Sequence, residues 1–417
     1  MARGLGSTLP IAAICGCALA GCGNGGGLVV RTVSEYGGTP IAGVKVQVGD
    51  QPWTTTGSNG EARFAPVAPP YTVRVYQALA FITLKGEARQ RDKVWQLVGQ
   101  TGNPLVLEVD GSLAQSYKAH VSGAVAGRSG AANTQVLVEG WKVAPDGTFG
   151  TSNGPVIWWE GSTSYDFVLR AVESDTEQPP AHYIGYAASR VRATDTTGFL
   201  GPGGNLSGVS LQLGPVAEAR VSGQVTRAEA FAQGTLLSSI LLRFGPYEWM
   251  GLGQGAPSGQ PAAFDYAVPR IDGAAPWLQF LAATGNSLDA AYGWHGREVG
   301  FSSTGLTFDI PAPVSLTDPV SGATFGPSTL FRWSAGPAGG KYSLELGCDD
   351  WNEGALTRNI HYRGVETTST EVTLPAIPDV AVPTGATCRW SVAWIAPFNP
   401  ALENRGSRSF ERASIAR

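Results

Sequence analysis

Apolar and polar residues alternate in short runs along most of this chain. The clearest early runs are Val44, Val46 and Val48, then Tyr71, Val73 and Val75, then Leu105, Leu107 and Val109. Successive side chains of a strand point to opposite faces, so a period of two puts each apolar set on one face of a sheet. A second sheet must cover that face, and the pattern therefore predicts β-sandwiches.

The same alternation continues towards the end of the chain. Its later runs are Tyr165, Phe167 and Leu169, then Ile240, Leu242 and Phe244, then Phe264, Tyr266 and Val268, then Tyr342, Leu344, Leu346 and Cys348. Only residues 226–233 have helical character, and this segment is too short to change the fold class. Ser58-Asn59-Gly60 is typical of a hairpin, because Asn-Gly tolerates the positive φ angles of a tight turn. The fold is therefore predicted to be all-β.

Two long segments resemble each other and indicate a repeated sandwich. H-V-S-G-A-V begins at His120, and R-V-S-G-Q-V begins 100 residues later at Arg220. Each segment ends in an alternating run that meets proline, at 207–215 and 304–313. A repeat of this length is typical of a repeated domain and not of a solenoid unit. We predict tandem sandwiches at residues 28–111, 117–215, 218–311 and 312–417, after a signal peptide at 1–21 and a flexible tether at 22–27.

The N-terminal segment has the three parts of an export signal. Arg3 is its only charge, an apolar run extends from Leu9 to Leu19, and small residues follow. The run is shorter than the roughly 20 residues that a membrane-spanning helix needs. Leu19-Ala20-Gly21-Cys22 resembles a bacterial lipobox. This resemblance implies cleavage before Cys22 and acylation of its thiol and of the new N-terminus, which would hold the protein on a membrane.

The residue after the lipobox cysteine bears on location. In many lipoproteins of bacteria with two membranes, an aspartate at this position favours retention on the inner membrane, whereas Gly23 stands here. The resemblance therefore implies the outer membrane, on its periplasmic or its cell-surface face. The alternative is an ordinary signal peptide in which Cys22 is incidental.

Composition agrees with a secreted β protein. The chain has 56 glycines and 28 prolines and only 15% charged residues, which suits many short strands joined by tight turns. Its 12 tryptophans are enough to help build several cores, so a disordered stalk is excluded. The net charge is -4 and the Lys and Arg residues are scattered, so no nucleic-acid partner is expected.

The five cysteines have different predicted roles. Cys15 and Cys17 lie in the leader, and Cys22 is the lipidation site. The remaining pair, Cys348 and Cys388, is predicted to form a disulfide, because an even pair in an exported protein is typically bridged. Both cysteines lie on core-facing stripes, so we expect the bridge to join the two sheets of the last sandwich.

Two of the predicted sandwiches resemble known families. G-T-P-I-A-G-V from Gly38, N-G-E-A-R-F from Asn59 and P-Y-T-V from Pro70 resemble carboxypeptidase regulatory-like domains, which are prealbumin-like seven-strand sandwiches. L-T-D-P-V-S-G from Leu316 and F-R-W-S from Phe331 resemble fibronectin type III-like or immunoglobulin-like sandwiches. Carboxypeptidase regulatory-like domains are mostly accessory modules without catalytic residues of their own. The resemblance thus implies a fold and no chemistry.

One motif has the spacing of two zinc ligands. His295-Gly296-Arg297-Glu298 spells H-x-x-E, which zinc carboxypeptidases use to bind metal, but a third ligand is needed and His361 lies in another predicted sandwich. A loop histidine beside a surface acid is the simpler interpretation. No catalytic residue, metal site or cofactor is predicted.

Three tryptophans are candidate ligand-binding residues: Trp351, Trp158 and Trp159. Trp158 and Trp159 are adjacent, so in a strand one of them must point away from the core. Trp351 lies within C-D-D-W-N-E, which is interpreted as a polar turn. Exposed tryptophan beside carboxylates and amides suits sugar stacking or a protein hot spot. The alternative is that these rings pack on a neighbouring sandwich.

These features predict a non-catalytic, lipid-anchored envelope protein of the outer membrane that acts as an adhesive, scaffold or ligand-presenting array. Its expected partners are the membrane, through the lipid, and an envelope protein or polysaccharide. An alternative is a carbohydrate-binding surface lipoprotein that uses exposed tryptophans. A third interpretation, a metal-dependent hydrolase, requires His295 and Glu298 to converge with a further ligand.

Overall fold

A computed structural model describes residues 27–34, 38–82, 88–110, 116–130, 134–150, 155–160, 162–175, 182–198, 201–245, 248–285, 290–326, 328–353, 356–378, 382, 384–396, 403–409 and 412–416. These residues form strands and a one-turn 3-10 helix at Glu229–Phe231, which confirms the all-β prediction. Within those ranges, no helix has the length and apolar character needed to cross a membrane. The predicted leader and Cys22 lie outside the described residues.

We group the strands along the chain into four units. Unit 1 contains β1 (Leu28–Ser34), β2 (Lys45–Val48), β3 (Thr54–Thr55), β4 (Glu61–Phe64), β5 (Tyr71–Ile82), β6 (Ala88–Gln100) and β7 (Leu105–Val109). Unit 2 contains β8 (Ser116–Ala126), β9 (Gln135–Val138), β10 (Trp141–Lys142), β11 (Thr148–Phe149), β12 (Val156–Glu160), β13 (Ser164–Ser174), β14 (Tyr183–Thr194), β15 (Gly204–Gln212) and β16 (Gly214–Pro215).

The remaining strands form units 3 and 4. Unit 3 contains β17 (Ala217–Arg227), β18 (Thr235–Arg243), β19 (Trp249–Gly255), β20 (Ala262–Arg270), β21 (Ala275–Ala283), β22 (Tyr292–Glu298) and β23 (Leu306–Ile310). Unit 4 contains β24 (Leu316–Asp318), β25 (Thr324–Phe325), β26 (Phe331–Trp333), β27 (Lys341–Glu353), β28 (Leu356–Thr367), β29 (Glu371–Val372), β30 (Thr387–Ile395), β31 (Glu403–Arg408) and β32 (Arg412–Ala416).

Units 1, 2 and 3 share one strand order. In the first sheet of each unit, the first strand pairs in parallel with a late strand and antiparallel with a middle one, giving β4-β1-β7, β12-β8-β15 and β20-β17-β23. The second sheets run β3-β2-β5-β6, β10-β9-β13-β14 and β19-β18-β21-β22. Unit 1 therefore has the same strand arrangement as units 2 and 3, although the sequence repeat is evident only in units 2 and 3.

The repeated V-S-G element has a steric explanation. Gly123 pairs with Val209 on the parallel neighbour β15, and Gly223 pairs with Leu306 on β23. A Cβ at Gly123 would lie 1.9 Å from the Val209 carbonyl oxygen, and a Cβ at Gly223 would lie 2.0 Å from that of Leu306. Both positions thus require glycine, because only a residue without a Cβ permits this close approach of two backbones.

The Asn-Gly signal marks a turn but not a hairpin. Gly60 has a φ of 72°, and the Asn59 side chain accepts a hydrogen bond from the Glu61 backbone N–H at 3.1 Å. However, β3 before the turn pairs with β2, whereas β4 after it pairs with β1 in the other sheet. The hairpin prediction is wrong, because this turn carries the chain from one sheet of unit 1 to the other.

Three units are joined edge to edge in one fourteen-stranded sheet. Strand β6 of unit 1 pairs in parallel with β28 of unit 4, and β22 of unit 3 pairs antiparallel with β31 of unit 4. The sequence predicts tandem sandwiches and gives no sign of this edge-to-edge pairing. The physical reason lies in the unpaired backbone groups of β6 and β22, which are satisfied here by the partner unit. In unit 2, the corresponding strand β14 pairs on this side with the short strand β16 at Gly185 and Tyr186.

A buried carboxylate ties unit 1 to unit 4. Asp92 on β6 is fully buried, and its Oδ2 accepts a 2.6 Å hydrogen bond from Arg358 Nη2, 266 residues away. Its Oδ1 accepts from the Tyr76 hydroxyl at 3.0 Å and from Gln90 Nε2 at 2.7 Å. Burial and the Asp92 carboxylate raise the pKa of Tyr76 well above its usual range, which keeps this hydroxyl a donor. Tyr76 and Val94 belong to the apolar core of unit 4.

The joint between units 3 and 4 uses side chains of β31. Arg405 forms an ion pair with Asp309, and its Nε donates to the Asp309 carbonyl at 3.0 Å. The Ser407 hydroxyl donates to the Ala312 carbonyl at 2.7 Å. These bonds hold β31 against β23 and against the segment that leaves unit 3.

Unit 2 contacts unit 3 through a charged cluster and shared apolar side chains. Arg170 Nη2 lies 2.7 Å from Glu248 Oε2, and the guanidinium lies 4.0 Å from the Phe244 ring centroid. Glu139 Oε1 accepts a 2.7 Å hydrogen bond from the Arg170 backbone N–H. Burial raises the pKa of Glu139 to about 7, although Arg170 acts to lower it and the Glu248 carboxylate adds a smaller rise. Tyr183 of unit 2 belongs to the core cluster of unit 3.

We expect Arg358→Met to destabilise the protein by about 3 kcal/mol, because it leaves the Asp92 carboxylate buried without its cation. Equilibrium urea denaturation followed by tryptophan fluorescence measures the change. Adding Asp92→Asn to Arg358→Met should restore part of the lost stability. The control Arg220→Met, in an exposed pair with Asp265, should cost less than about 1 kcal/mol. A double variant as unstable as the single one would contradict the assigned role of the pair.

We expect Glu139 to make stability fall as the pH rises from 4.5 to 7. In this window the folded protein keeps the proton, whereas the unfolded chain, with an ordinary pKa of 4.5, has lost it. The folded state is therefore favoured below this window by roughly 3 kcal/mol relative to above it. Urea denaturation at several pH values should show this slope in the wild type and in Glu371→Gln, an exposed control. An unchanged slope in Glu139→Gln would refute the assignment.

Candidate functional site

The disulfide lies within one sheet. Cys348 on β27 and Cys388 on β30 are direct partners in the antiparallel pairing, both are buried, and their sulfur atoms are 2.08 Å apart. The pairing and the core-facing positions agree with the sequence prediction, but the expected bridge between sheets is wrong. The alternating pattern places both residues on a core-facing side, and it does not distinguish facing sheets from neighbouring strands of one sheet.

The H-x-x-E motif does not bring its two side chains together. His295 and Glu298 lie on β22 three residues apart, which puts them on opposite faces of the sheet. His295 is a buried strand residue and not a loop residue, and its Nδ1 accepts a 2.9 Å hydrogen bond from the Asp309 backbone N–H. Glu298 pairs with Arg243 at 3.2 Å. Across the described ranges, no three His, Cys, Asp or Glu residues are placed to hold a metal ion.

Trp159 is a core residue. Its side chain is 1% exposed, and its Nε1 donates a 2.6 Å hydrogen bond to the Ser162 carbonyl. The indole stacks on Tyr117 and Tyr165, with ring centroids 6.1 and 6.2 Å away. It therefore offers no surface to a ligand, and its role is to close one end of unit 2.

Trp158 points the other way, as the strand period requires. It is 47% exposed on the outer face of β12, directly opposite Lys118 of β8. The Lys118 Nζ lies 5.3 Å from the centroid of the indole ring, within range of a cation–π interaction. Such a contact holds the two side chains together and leaves an apolar ring beside a positive charge at the surface.

Other polar side chains lie on the same sheet face as Trp158. His120 lies two residues after Lys118 on β8, and its partner on β15 is Asn205. Directly paired residues share a face of a sheet, so both side chains lie on the same side as Trp158, and both are exposed. We call this outer surface of β12-β8-β15 the Trp158 face. Its aromatic ring, ammonium, imidazole and amide groups are suited to stacking on a sugar and hydrogen bonding to its hydroxyls.

Trp351 and Trp141 are placed in ways that the sequence did not indicate. Trp351 lies on β27 and pairs with Arg358 of β28, so the predicted polar turn is wrong, because β28 continues to pair with β27 beyond the disulfide. Trp141 was not selected from the sequence, yet it is 45% exposed on β10. Its two-residue strand is too short to show alternation, and the sequence carries no other signal of its exposure.

Comparison of the chain with models of known protein families finds no match, and comparison with curated proteins finds none either. The family resemblances of the first and last sandwiches therefore remain expectations from short motifs.

Proposed function

We propose that this protein is a non-catalytic, lipid-anchored envelope protein that acts as a rigid scaffold and holds ligand-binding surfaces at fixed positions. The observation that carries this proposal is the fourteen-stranded sheet, which joins units 1, 3 and 4 through backbone hydrogen bonds. Units linked only by flexible connections move relative to one another by default. Edge-to-edge pairing removes that freedom and suits a scaffold better than a flexible array.

The sequence supports the anchored part of the proposal. The lipobox motif ends at Cys22, and described strand structure begins at Leu28, a few residues later. Lipid at Cys22 would therefore place unit 1 close to the membrane surface. The short motifs of unit 1 that resemble accessory domains agree with a role in presentation and not in catalysis.

Metabolic labelling with an alkyne fatty acid and membrane fractionation test this proposal in cells that express the full chain. We expect the wild type and the control Cys17→Ser, altered within the leader, to be labelled and found in the membrane. Cys22→Ser should be unlabelled. In-cell crosslinking of the wild type should then recover an envelope protein in near-equal amount. Label on Cys22→Ser, or no recovered partner, would contradict the anchored scaffold.

A second candidate function is carbohydrate binding on the Trp158 face. The specific observation in its favour is that Trp158, rather than being covered by a neighbouring unit, is about half exposed beside Lys118, on a sheet face that also carries His120 and Asn205. Stacking on one aromatic ring contributes about 1 kcal/mol to binding. The surface would therefore bind a polysaccharide weakly at each site and gain from repeated contacts along the polymer.

We expect Trp158→Ala to weaken binding to envelope polysaccharide several-fold, because the stacking surface is lost. Affinity electrophoresis in gels that contain the polysaccharide measures the retardation. Trp141→Ala is the matched control, since Trp141 is equally exposed but lies on the other sheet of unit 2. Equal retardation of the wild type and Trp158→Ala would refute the carbohydrate-binding function of this face.

A further inference from the structure

A groove lies between unit 1 and unit 4 on the outer face of the β3-β2-β5-β6 sheet. Its unit 1 side is lined by Gln47, Trp53, Arg74 and Gln96, and its unit 4 side by residues 372–378. We call it the Arg74 groove. Its volume of about 720 Å³ falls within the range of small-ligand pockets, roughly 300–1,000 Å³.

The four unit 1 side chains form one row across the sheet. Gln47 pairs with Arg74, and Arg74 pairs with Gln96. Thr54 pairs with Val46 in the antiparallel ladder, so Trp53 falls beside Gln47 at the next position. Directly opposed residues share a face, and the row therefore contains an indole, an amide, a guanidinium and a second amide in sequence. The Trp53 indole is partly buried, because it also packs against the apolar core of unit 4.

Hydrogen bonds fix the arginine and both amides. Arg74 Nε donates to Gln96 Oε1 at 2.9 Å, and its Nη1 donates to Gln47 Oε1 at 2.9 Å and to the Gly49 carbonyl at 3.2 Å. The amide nitrogens are held from the other side, since Gln47 Nε2 donates to the Gln51 carbonyl at 3.0 Å and Gln96 Nε2 to the Glu366 carbonyl at 3.1 Å. The guanidinium is thus preorganised, which lowers the entropy cost of binding a ligand.

No anionic partner of Arg74 is found in the described part of the chain. Among the residues that the structure describes, no carboxylate lies within ion-pair distance of this guanidinium, and its Nη2 makes no hydrogen bond. Two other partly buried arginines at the unit joints do pair with acids, Arg358 with Asp92 and Arg170 with Glu248. A charge held in a groove by neutral dipoles alone attracts an anion from outside, and the planar guanidinium suits a carboxylate.

We propose that the Arg74 groove binds an acidic polysaccharide, with Arg74 pairing to the carboxylate of a uronic acid residue and Trp53 packing against a sugar ring. Indole and amide side chains beside a charged anchor are typical of sugar recognition. A peptide added as a further strand would need an open backbone edge, whereas the floor of this groove is a sheet face that presents side chains. The proposal is independent of the scaffold function and of the Trp158 face.

Calorimetric titration of the mature chain with trigalacturonic acid tests the proposal, with its methyl ester as a neutral probe of nearly the same size. We expect the acid to bind and the ester to bind about tenfold more weakly or worse, because a charge-assisted pair to Arg74 is lost. This comparison uses only the wild-type protein and does not depend on the folding of any variant.

Variants then locate the site. Arg74→Gln should lose about tenfold or more in affinity for the acid while leaving the weak binding of the ester unchanged, and Trp53→Ala should weaken both probes. Arg63→Gln is the matched control, because Arg63 is an exposed arginine on the other sheet of unit 1, paired with Glu61. Thermal melts followed by circular dichroism confirm that each variant is folded.

Several outcomes would overturn the proposal. These are no binding of the acid at millimolar concentration, equal affinity for acid and ester, or wild-type affinity in folded Arg74→Gln. Binding of an acidic hexapeptide in place of the sugar would likewise assign the groove to a peptide and refute the polysaccharide.

Discussion

The backbone pairing of β6 with β28 is the contact on which the rest of the architecture depends. Each of the first three units ends its second sheet in a strand that would expose a row of unpaired amide and carbonyl groups. Unit 4 covers two of these edges, with β28 on β6 and β31 on β22, whereas β16 pairs with only a short part of β14. The last unit of the chain thus returns to the first and joins it to unit 3 in one sheet.

The joint between β6 and β28 also explains why the Asp92 carboxylate is buried and where the Arg74 groove lies. Asp92 can be buried because β28 supplies Arg358 as its partner. Tyr76 lies on the outer face of unit 1 and packs into the core of unit 4. Further along that face a groove lies between the two units, and Arg74 is held there between two glutamines with no acid of the described residues in ion-pair distance. The groove therefore exists only because unit 4 docks on unit 1, and a separate unit 1 would present the same row of side chains on an open surface.

Local patterns in the sequence predict the strands well. Period-two alternation identifies the core faces, predicts that one of Trp158 and Trp159 is exposed, and places Cys348 and Cys388 towards the core. The V-S-G repeat reflects a steric requirement for glycine at Gly123 and Gly223. Pairings between distant strands are not predictable in this way, because an edge strand has the same alternation whichever partner it meets. For this reason the hairpin at Asn59-Gly60 and the bridge between sheets were wrong, the edge-to-edge joining of units was not predicted, and the Arg74 groove has no sequence signal.

The central claim is that units 1, 3 and 4 form one rigid body, and a distance measurement between units 1 and 3 tests it most directly. Spin labels at Asp50→Cys in unit 1 and Asp272→Cys in unit 3 lie at exposed positions, and the native Cys348–Cys388 disulfide does not react with the label. Double electron–electron resonance on the full chain, with Cys15→Ser, Cys17→Ser and Cys22→Ser added so that no other thiol is labelled, should give a single narrow distance distribution. A broad distribution, as expected for sandwiches on flexible linkers, would contradict the shared sheet.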